Sequence, residues 1–493
     1  MKKKILILSL IFLHQTTMMA CQGCEECSDD YYTSQTFMFT RPITQNLPAR
    51  NSGWHNLIHN RQGDNLAAFQ IIGLYQRSIP DAQTAQYFLF NNKNCLTVAG
   101  DNTINENSRD IRAEWLGLPS DFQGSFSINP RQSQMGVLFE YNQKISRLTS
   151  LSIFKHSWFS FSAPFVAVTN DIGFQQFDLQ NLGTGDGPRD LAQAFTRKEI
   201  RYGKIGGEKT DFTLAHIRAS FGTTYMSEDN FQIAYYSHFT FSGTDRDQSQ
   251  YLFDVAADFN GHFGIGAGLN FQLVLNRPND RYDSCLFLDF EHTYLIERSQ
   301  LRTFDLKNKP WSRYLLLNHK DKGPNILIPA VNIFTLNVDI KPYSLFDFSC
   351  GLRVKTHGFE VELGYNLWGH ADEKIDKIKC SFPTGYGIAG TVQNGDTKPR
   401  TASLSTVTKR EATTEENDDD PDQTFVEIKK EDLNCHSAIA RGAISHKAYM
   451  VISKNHRGKK IDGTFGIGAF YEYAQSNSVL KQWGLFGKMG ASF

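Results

Sequence analysis

Cys21, Cys24 and Cys27 stand in the spacing C-x-x-C-x-x-C, at which thiolates can share a metal ion or exchange disulfides. Zinc normally takes a fourth ligand and none lies nearby in sequence, so an N-terminal redox or disulfide cluster is the better expectation and no metal is assigned. His216, His238, His292 and Ser237 could supply a base and a nucleophile, but no spacing marks a triad. No catalytic residue and no cofactor are therefore expected. The run GIGAG, residues 264–268, has the glycines of a phosphate loop but continues as an alternating strand instead of opening a helix, so packing and curvature explain it better. The remaining candidates are charged side chains at every second position of otherwise apolar stretches: Asp254, Asp258, Asp289, Glu291, Asp347, Glu360 and Glu362, with Arg218, Arg353 and Lys488 as fewer bases. What these charges do depends on what the two faces of their strands meet.

Those strands are written in a period of two. In HGFEVELGYNLW, Phe359, Val361, Leu363, Tyr365 and Leu367 alternate with Glu360, Glu362, Gly364 and Asn366. The stretch from Tyr251 to Leu273 reads as two such strands around Asn260 and Gly261, a dipeptide suited to a tight hairpin. Period-two alternation fits either a sandwich with its apolar face inward or a membrane barrel with its apolar face outward. Three features favour the barrel. Aromatic residues such as Tyr251, Tyr294, Tyr365 and Tyr473 sit near the ends of apolar faces. Strands of about 10 residues suit a tilted crossing. The mixed faces carry Gly, Asp and Glu, which suit a wet lumen. The aromatic content of 13%, with 38 Phe, 19 Tyr and only 15 Pro in 493 residues, agrees with an all-β chain, and a net charge of -1 gives no reason to expect nucleic acid.

The start, MKKKILILSLIFLHQTTMMAC, places three lysines before a short apolar run and Ala20 at a cleavage position, the layout of a secretory signal over residues 1–20. Cys21 would then be the new N-terminus and could carry a lipid, although Met18 and Met19 fit a lipidation motif poorly and a plain signal cut is the simpler reading. Eight cysteines allow some disulfides without a disulfide scaffold; Cys380 and Cys435 bracket a charged stretch and could bridge or remain free.

The chain ends WGLFGKMGASF, with Trp483, Leu485, Met489 and Phe493 on one face. This ending resembles the C-terminal assembly signal of Gram-negative outer-membrane β-barrels, and no specific characterised porin family is matched. The resemblance covers the final strand, and the general architecture covers most of the chain. It implies a cell-outer-membrane location, recognition by the barrel assembly machinery, and contact with outer-membrane lipid and lipopolysaccharide. It also implies Phe493 at the periplasmic face. Counting back from there, a transmembrane antiparallel up-and-down barrel of roughly 14–16 strands is expected over residues 65–493, with 12 and 18 as alternatives. Residues 21–64 form a periplasmic or lumen segment. Long surface loops fall at 170–210 and 369–445, with 401–433 disordered for want of apolar residues. The Asn260–Gly261 turn comes out periplasmic, and so, awkwardly for its length, does the segment 298–329.

On this frame the charged positions face the lumen, where acids outnumber bases. The leading expectation is a porin-like channel for passive diffusion of small hydrophilic solutes with mild cation preference. A plugged transporter for hydrophobic substrates of the fatty-acid channel type, and a surface adhesin or receptor barrel, are the alternatives. Homo-oligomerisation rests on analogy with general porins alone.

Overall fold

The computed structural model describes residues 34–54, 66–103, 108–145, 151, 154, 156–227, 231–243, 249–279, 282–322, 326–389, 427–458 and 460–493. Cys21, Cys24, Cys27 and nearly all of the acidic stretch 401–433 lie outside them. Twelve antiparallel strands form the barrel among the described residues: β1 (Ala67–Ser78), β2 (Arg131–Lys144), β3 (Ser157–Asp171), β4 (His216–Ser227), β5 (Phe231–Ser242), β6 (Gly264–Asn279), β7 (Tyr282–Leu295), β8 (Tyr343–Thr356), β9 (Phe359–His370), β10 (Ala443–His456), β11 (Asp462–Ala474) and β12 (Gln482–Ser492). Each pairs with the next in sequence, and β12 pairs with β1, so the sheet closes. The terminal Phe493 is held by this seam: its N–H donates to Ala67 O (2.9 Å), and its carbonyl accepts from the N–H groups of Leu66 (2.7 Å) and Ala67 (3.0 Å).

Alternation sorts the side chains as the physics of a bilayer demands. On β11, Phe465, Ile467, Tyr471 and Tyr473 are outward and exposed, while Thr464, Phe470 and Glu472 are inward and buried. Tyr282 and Phe359 stand at one rim, Tyr294, Tyr473 and Trp483 at the other, as aromatic belts would. Trp483, Leu485, Met489 and Phe493 all face outward and are exposed. The GIGAG run lies in β6, where Gly266 and Gly268 leave room for the rings of His238 and Tyr236; a Cβ on Gly268 would sit 2.1 Å from the Tyr236 ring.

The count of twelve corrects the expected 14–16. Tyr251–Phe259 is not a strand, and Asn260 and Gly261 form a left-handed turn at the opposite rim from Phe493. Alternation also suggests barrel strands starting near Tyr87 and Phe334, but Tyr87 lies in a short helix, Ala82–Phe88, and the strand Thr335–Lys341 belongs to a separate three-stranded sheet outside the barrel. With those segments reassigned, residues 298–329 fall on the same side as every other long connection. The connections 79–130, 172–215, 243–263, 296–342 and 371–442 crowd one end, and those at the Phe493 end are short. Short periplasmic turns and long outer loops are the rule for such barrels, so the long connections mark the outer face.

These connections build a cap with its own core. Four small sheets pack around Phe88, Trp115, Phe122, Phe126, Phe195 and Trp311, and the Trp311 indole donates to Phe88 O at 2.7 Å. Cys380, two residues past the strand Lys374–Ile378, and Cys435, at the start of the 3-10 turn Cys435–Ala438, are both exposed in this region and form no disulfide with each other in this structure.

Candidate functional site: a filled lumen

Residues 34–54 descend through the barrel. At the cap, Gln35 N donates to Tyr87 O (2.9 Å) and Thr36 N to Ser437 O (2.8 Å), and the Arg302 guanidinium lies 3.5 Å above the Phe37 ring. Further down, Ile43 N donates to Gln134 Oε1 (2.8 Å). A single-turn helix α1 (Leu47–Asn51) follows, started by the Asn46 side chain and by Pro48 in its first turn. Its last carbonyls would be orphaned in the lumen; Lys488 Nζ donates to Ala49 O (2.8 Å) and Arg50 O (2.9 Å) and satisfies them. The thread ends at the other rim, where Trp54 packs on Ala68 and Gly53 lies against Thr464.

Two arginines pin this plug to the wall. Arg41 donates through Nη1 to Glu472 Oε1 (2.8 Å) and through Nη2 to Asn366 Oδ1 (2.8 Å) and Asp347 Oδ2 (3.3 Å), and its guanidinium lies 5.6 Å from the Trp368 ring centroid. Lys447 stands 3.6 Å from the other Glu472 oxygen. Arg50 reaches Glu291 Oε2 (3.4 Å) and Glu140 Oε1 (3.6 Å). Glu291 is also held bidentately by Arg218, at 2.6 Å on each arm, and accepts from Tyr236 Oη (3.0 Å). Deeper in the wall Arg353 joins Glu362 (2.9 Å) and Glu360 (3.2 Å).

The sequence-derived charges divide into two groups. Asp289, Glu291, Asp347, Glu360, Glu362, Arg218, Arg353 and Lys488 are buried on inward faces of barrel strands. Asp254 and Asp258 are not wall residues. They belong to the segment 251–262, which folds in from the outer end and, among the described residues, shows only an isolated bridge between Tyr251 and Lys204. Asp254 accepts the N–H groups of Gln250 (3.1 Å) and Val255 (2.9 Å), and burial raises its carboxyl pKa. Asp258 bonds His216 Nδ1 (2.7 Å) and accepts from Thr44 Oγ1 (2.6 Å), tying the infolded loop to both wall and plug. Asp339 and Lys341, whose alternation with apolar neighbours also suggests a lumen-facing strand, lie in the cap. Arg41, Arg50 and Lys447 escaped sequence reasoning. The only signal for the plug was Asn46 followed by Pro48, a helix start with no strand periodicity around it.

The lumen also carries an apolar seam. Ile72, Leu138 and Pro164 are neighbours across β1, β2 and β3, and Leu74, Gly136 and Val166 form the next row. Ile43 and Ala49 of the plug and Val255 and Ala257 of the infolded loop complete the same buried cluster, with Val168 and Ala215 beside them. At this height the wall is irregular. Pairing between β3 and the chain before β4 steps from Ser162–Arg218 to Phe165–Leu214, which inserts one residue, and Ala215 N still donates to Pro164 O (2.9 Å).

A closed ring of twelve strands with an apolar belt outside and charges inside defines an outer-membrane β-barrel protein. No family model and no curated protein matches this chain. Among solved structures it is similar to an outer membrane channel from Pseudomonas putida F1, at 9% identity over 88% of this chain and 98% of that one, with a TM-score of 0.37. It is also similar to the Pseudomonas putida toluene transporter TodX, at 9% identity over 89% and 93%, TM-score 0.31. A third likeness is to the translocator domain of the autotransporter NalP from Neisseria meningitidis, at 8% identity over 90% and 95%, TM-score 0.29.

Proposed function

We propose that this chain is a plugged outer-membrane transporter for small apolar molecules, in which the segment 34–54 must shift for passage. The observation that carries this reading is the apolar seam. An inward row of Ile72, Leu74, Leu138, Val166 and Val168 faces the plug, where a channel serving only hydrophilic solutes would line its wall with polar groups. The wall charges support an open porin less well, because they are taken up by the plug arginines and by one another. Displacing Ile43, Ala49, Val255 and Ala257 would bare a continuous apolar strip beside the bulge at Ala215, along which a hydrocarbon or aromatic solute could move without desolvating a charge.

Uptake of a labelled fatty acid and of a labelled sugar into proteoliposomes tests this directly. Fatty-acid entry that exceeds protein-free vesicles, with no matching entry of sugar, is the expected result. Sugar flux with steady ohmic conductance in planar bilayers would overturn it in favour of the porin.

A further inference from the structure

We infer that the turn end of the barrel binds an anionic phospholipid, with Lys454 and Arg457 holding its phosphate and the outward rings of Phe359 and Phe465 receiving its acyl chains. Strand register builds the site. Lys454 of β10 is paired with Phe359, the first residue of β9, on one side and with Phe465 of β11 on the other. All three side chains are exposed on the outward face, the rings by 49% and 62%, and the Lys454 ammonium lies 5.3 Å from the Phe359 ring centroid. A lysine among outward aromatics near the end of its strand stands where the apolar belt gives way to head groups, its stem on hydrocarbon and its charge at the interface. Asn455 N donates to Gly358 O (2.7 Å), which fastens the β8–β9 turn beside β10, and Arg457 follows two residues later, exposed.

Charge decides what the site takes. Neither Lys454 nor Arg457 has a carboxylate partner among the described residues. The acids of this rim are committed elsewhere: Glu360 points inward, 3.2 Å from Arg353 and bonded by Asn455 Nδ2 (3.1 Å), Asp283 is held by Arg277 (2.6 Å), and Asp462 accepts from Gly458 N (3.1 Å). The carboxyl end of the chain, two strands away, is tied into the seam between β12 and β1. Two uncompensated cations therefore stand beside exposed hydrocarbon, which complements a diacyl lipid of net negative charge. Its phosphodiester oxygens suit the Arg457 fork and the Lys454 point charge together. A zwitterionic head group would bring an ammonium that meets no outward carboxylate among the described residues of β9, β10 and β11. The short turns face away from the long outer loops, towards the leaflet of an outer membrane that phospholipid builds.

Native mass spectrometry of the full chain in detergent, titrated with phosphatidylglycerol, phosphatidylcholine or glycerol 3-phosphate, tests the inference, and heat-dependent mobility on gels reports that each variant has folded. Phosphatidylglycerol is expected to stay bound at concentrations where the other two do not. K454Q/R457Q should weaken that binding roughly 30-fold, about fivefold for each basic residue beside the lipid surface. K320Q/K322Q, the same charge change in the cap, should leave it unaltered. Equal binding of the two lipids, displacement of phosphatidylglycerol by glycerol 3-phosphate, unchanged affinity in K454Q/R457Q, or an equal loss in K320Q/K322Q overturns the inference. A second measurement needs no variant: phosphatidylglycerol with a photoreactive acyl chain should label peptides containing Phe359 and Phe465 in the unaltered protein, and labelling spread evenly around the belt overturns the site. Because uptake is not measured, both results are independent of what the protein transports.

Discussion

Arg41 of the plug lies 2.8 Å from Glu472 of β11, and both side chains are essentially without solvent contact. Glu472 also accepts from Gln482 at 2.8 Å, so the final barrel strand, its neighbour and the N-terminal thread meet at one carboxylate. Replacing Arg41 by Ala leaves Glu472 and Asp347 buried without their main counter-charge. Loss of one partner of a buried pair costs about 3–5 kcal/mol. A two-state plug would then be displaced roughly 100-fold to a few thousand-fold more often, since each 1.4 kcal/mol is about tenfold. R41A should show frequent channel openings in planar bilayers under conditions where the parent is quiet. An equally quiet R41A would mean that this pair does not hold the plug.

Gly268 faces Tyr236, whose hydroxyl bonds Glu291. Gly268→Val should push the ring from its place and lower stability by about 1–3 kcal/mol, the usual cost of overpacking. Gly487 has open space where a Cβ would go, and Gly487→Ala should be near neutral. Denaturant midpoints in detergent compare the two, and equal midpoints would remove the packing argument.

Deleting Phe493 removes the carbonyl that accepts from Leu66 and Ala67 at the seam. Unsatisfied backbone groups at a membrane rim are costly, and the outward terminal aromatic is lost as well. The truncated chain should assemble markedly less, read as the fraction of heat-modifiable protein in the membrane. Undiminished assembly would separate Phe493 from both roles.

His262, in the connection before β6, offers a pH test. Burial pushes its imidazole down to about 4, and the ring bonds Ile296 O through Nδ1 (2.8 Å) and Gln300 through Nε2 (2.9 Å). The folded pKa lies below the ordinary value of about 6.5, so the unfolded loop binds the proton more readily. Stability is therefore complete above about pH 6.5 and falls as pH drops towards 4, by roughly 3 kcal/mol at most. Protection factors of residues 251–262, corrected for the pH dependence of intrinsic amide exchange, should fall over that window, and His262→Gln should flatten the response. A wild-type profile without pH dependence between 7 and 4 would contradict the assignment.

Much of the barrel was legible because a bilayer imposes a period of two that few other environments sustain over so many strands. Asp289, Glu291 and Glu362 could be placed inward from alternation alone. Tyr251–Phe259 shows where that logic fails. Leu252 and Phe253 enter the cap core while Val255 and Ala257 enter the seam, so burial on several sides reproduces a strand-like pattern without a ladder partner. A lumen segment within residues 21–64 is one of the two readings the sequence allows, but its contacts were illegible for the opposite reason. Those contacts come from wall residues up to 439 positions away, as between Ala49 and Lys488, and nothing local in TFMFTRPITQN records the pairing of Arg41 with Glu472.

The irregularity at Ala215 has a further consequence. Past it, Glu208–Leu214 continues to pair with the outer half of β3, and Phe165 and Phe212 are exposed on this extension, Phe212 by 69%. Phe212 therefore carries outward apolar surface beyond the point where β4 pairs with β3. A ring exposed there is covered only by lipid that stretches to reach it or by a lean of the barrel, so the cost of hydrophobic mismatch falls locally beside β3.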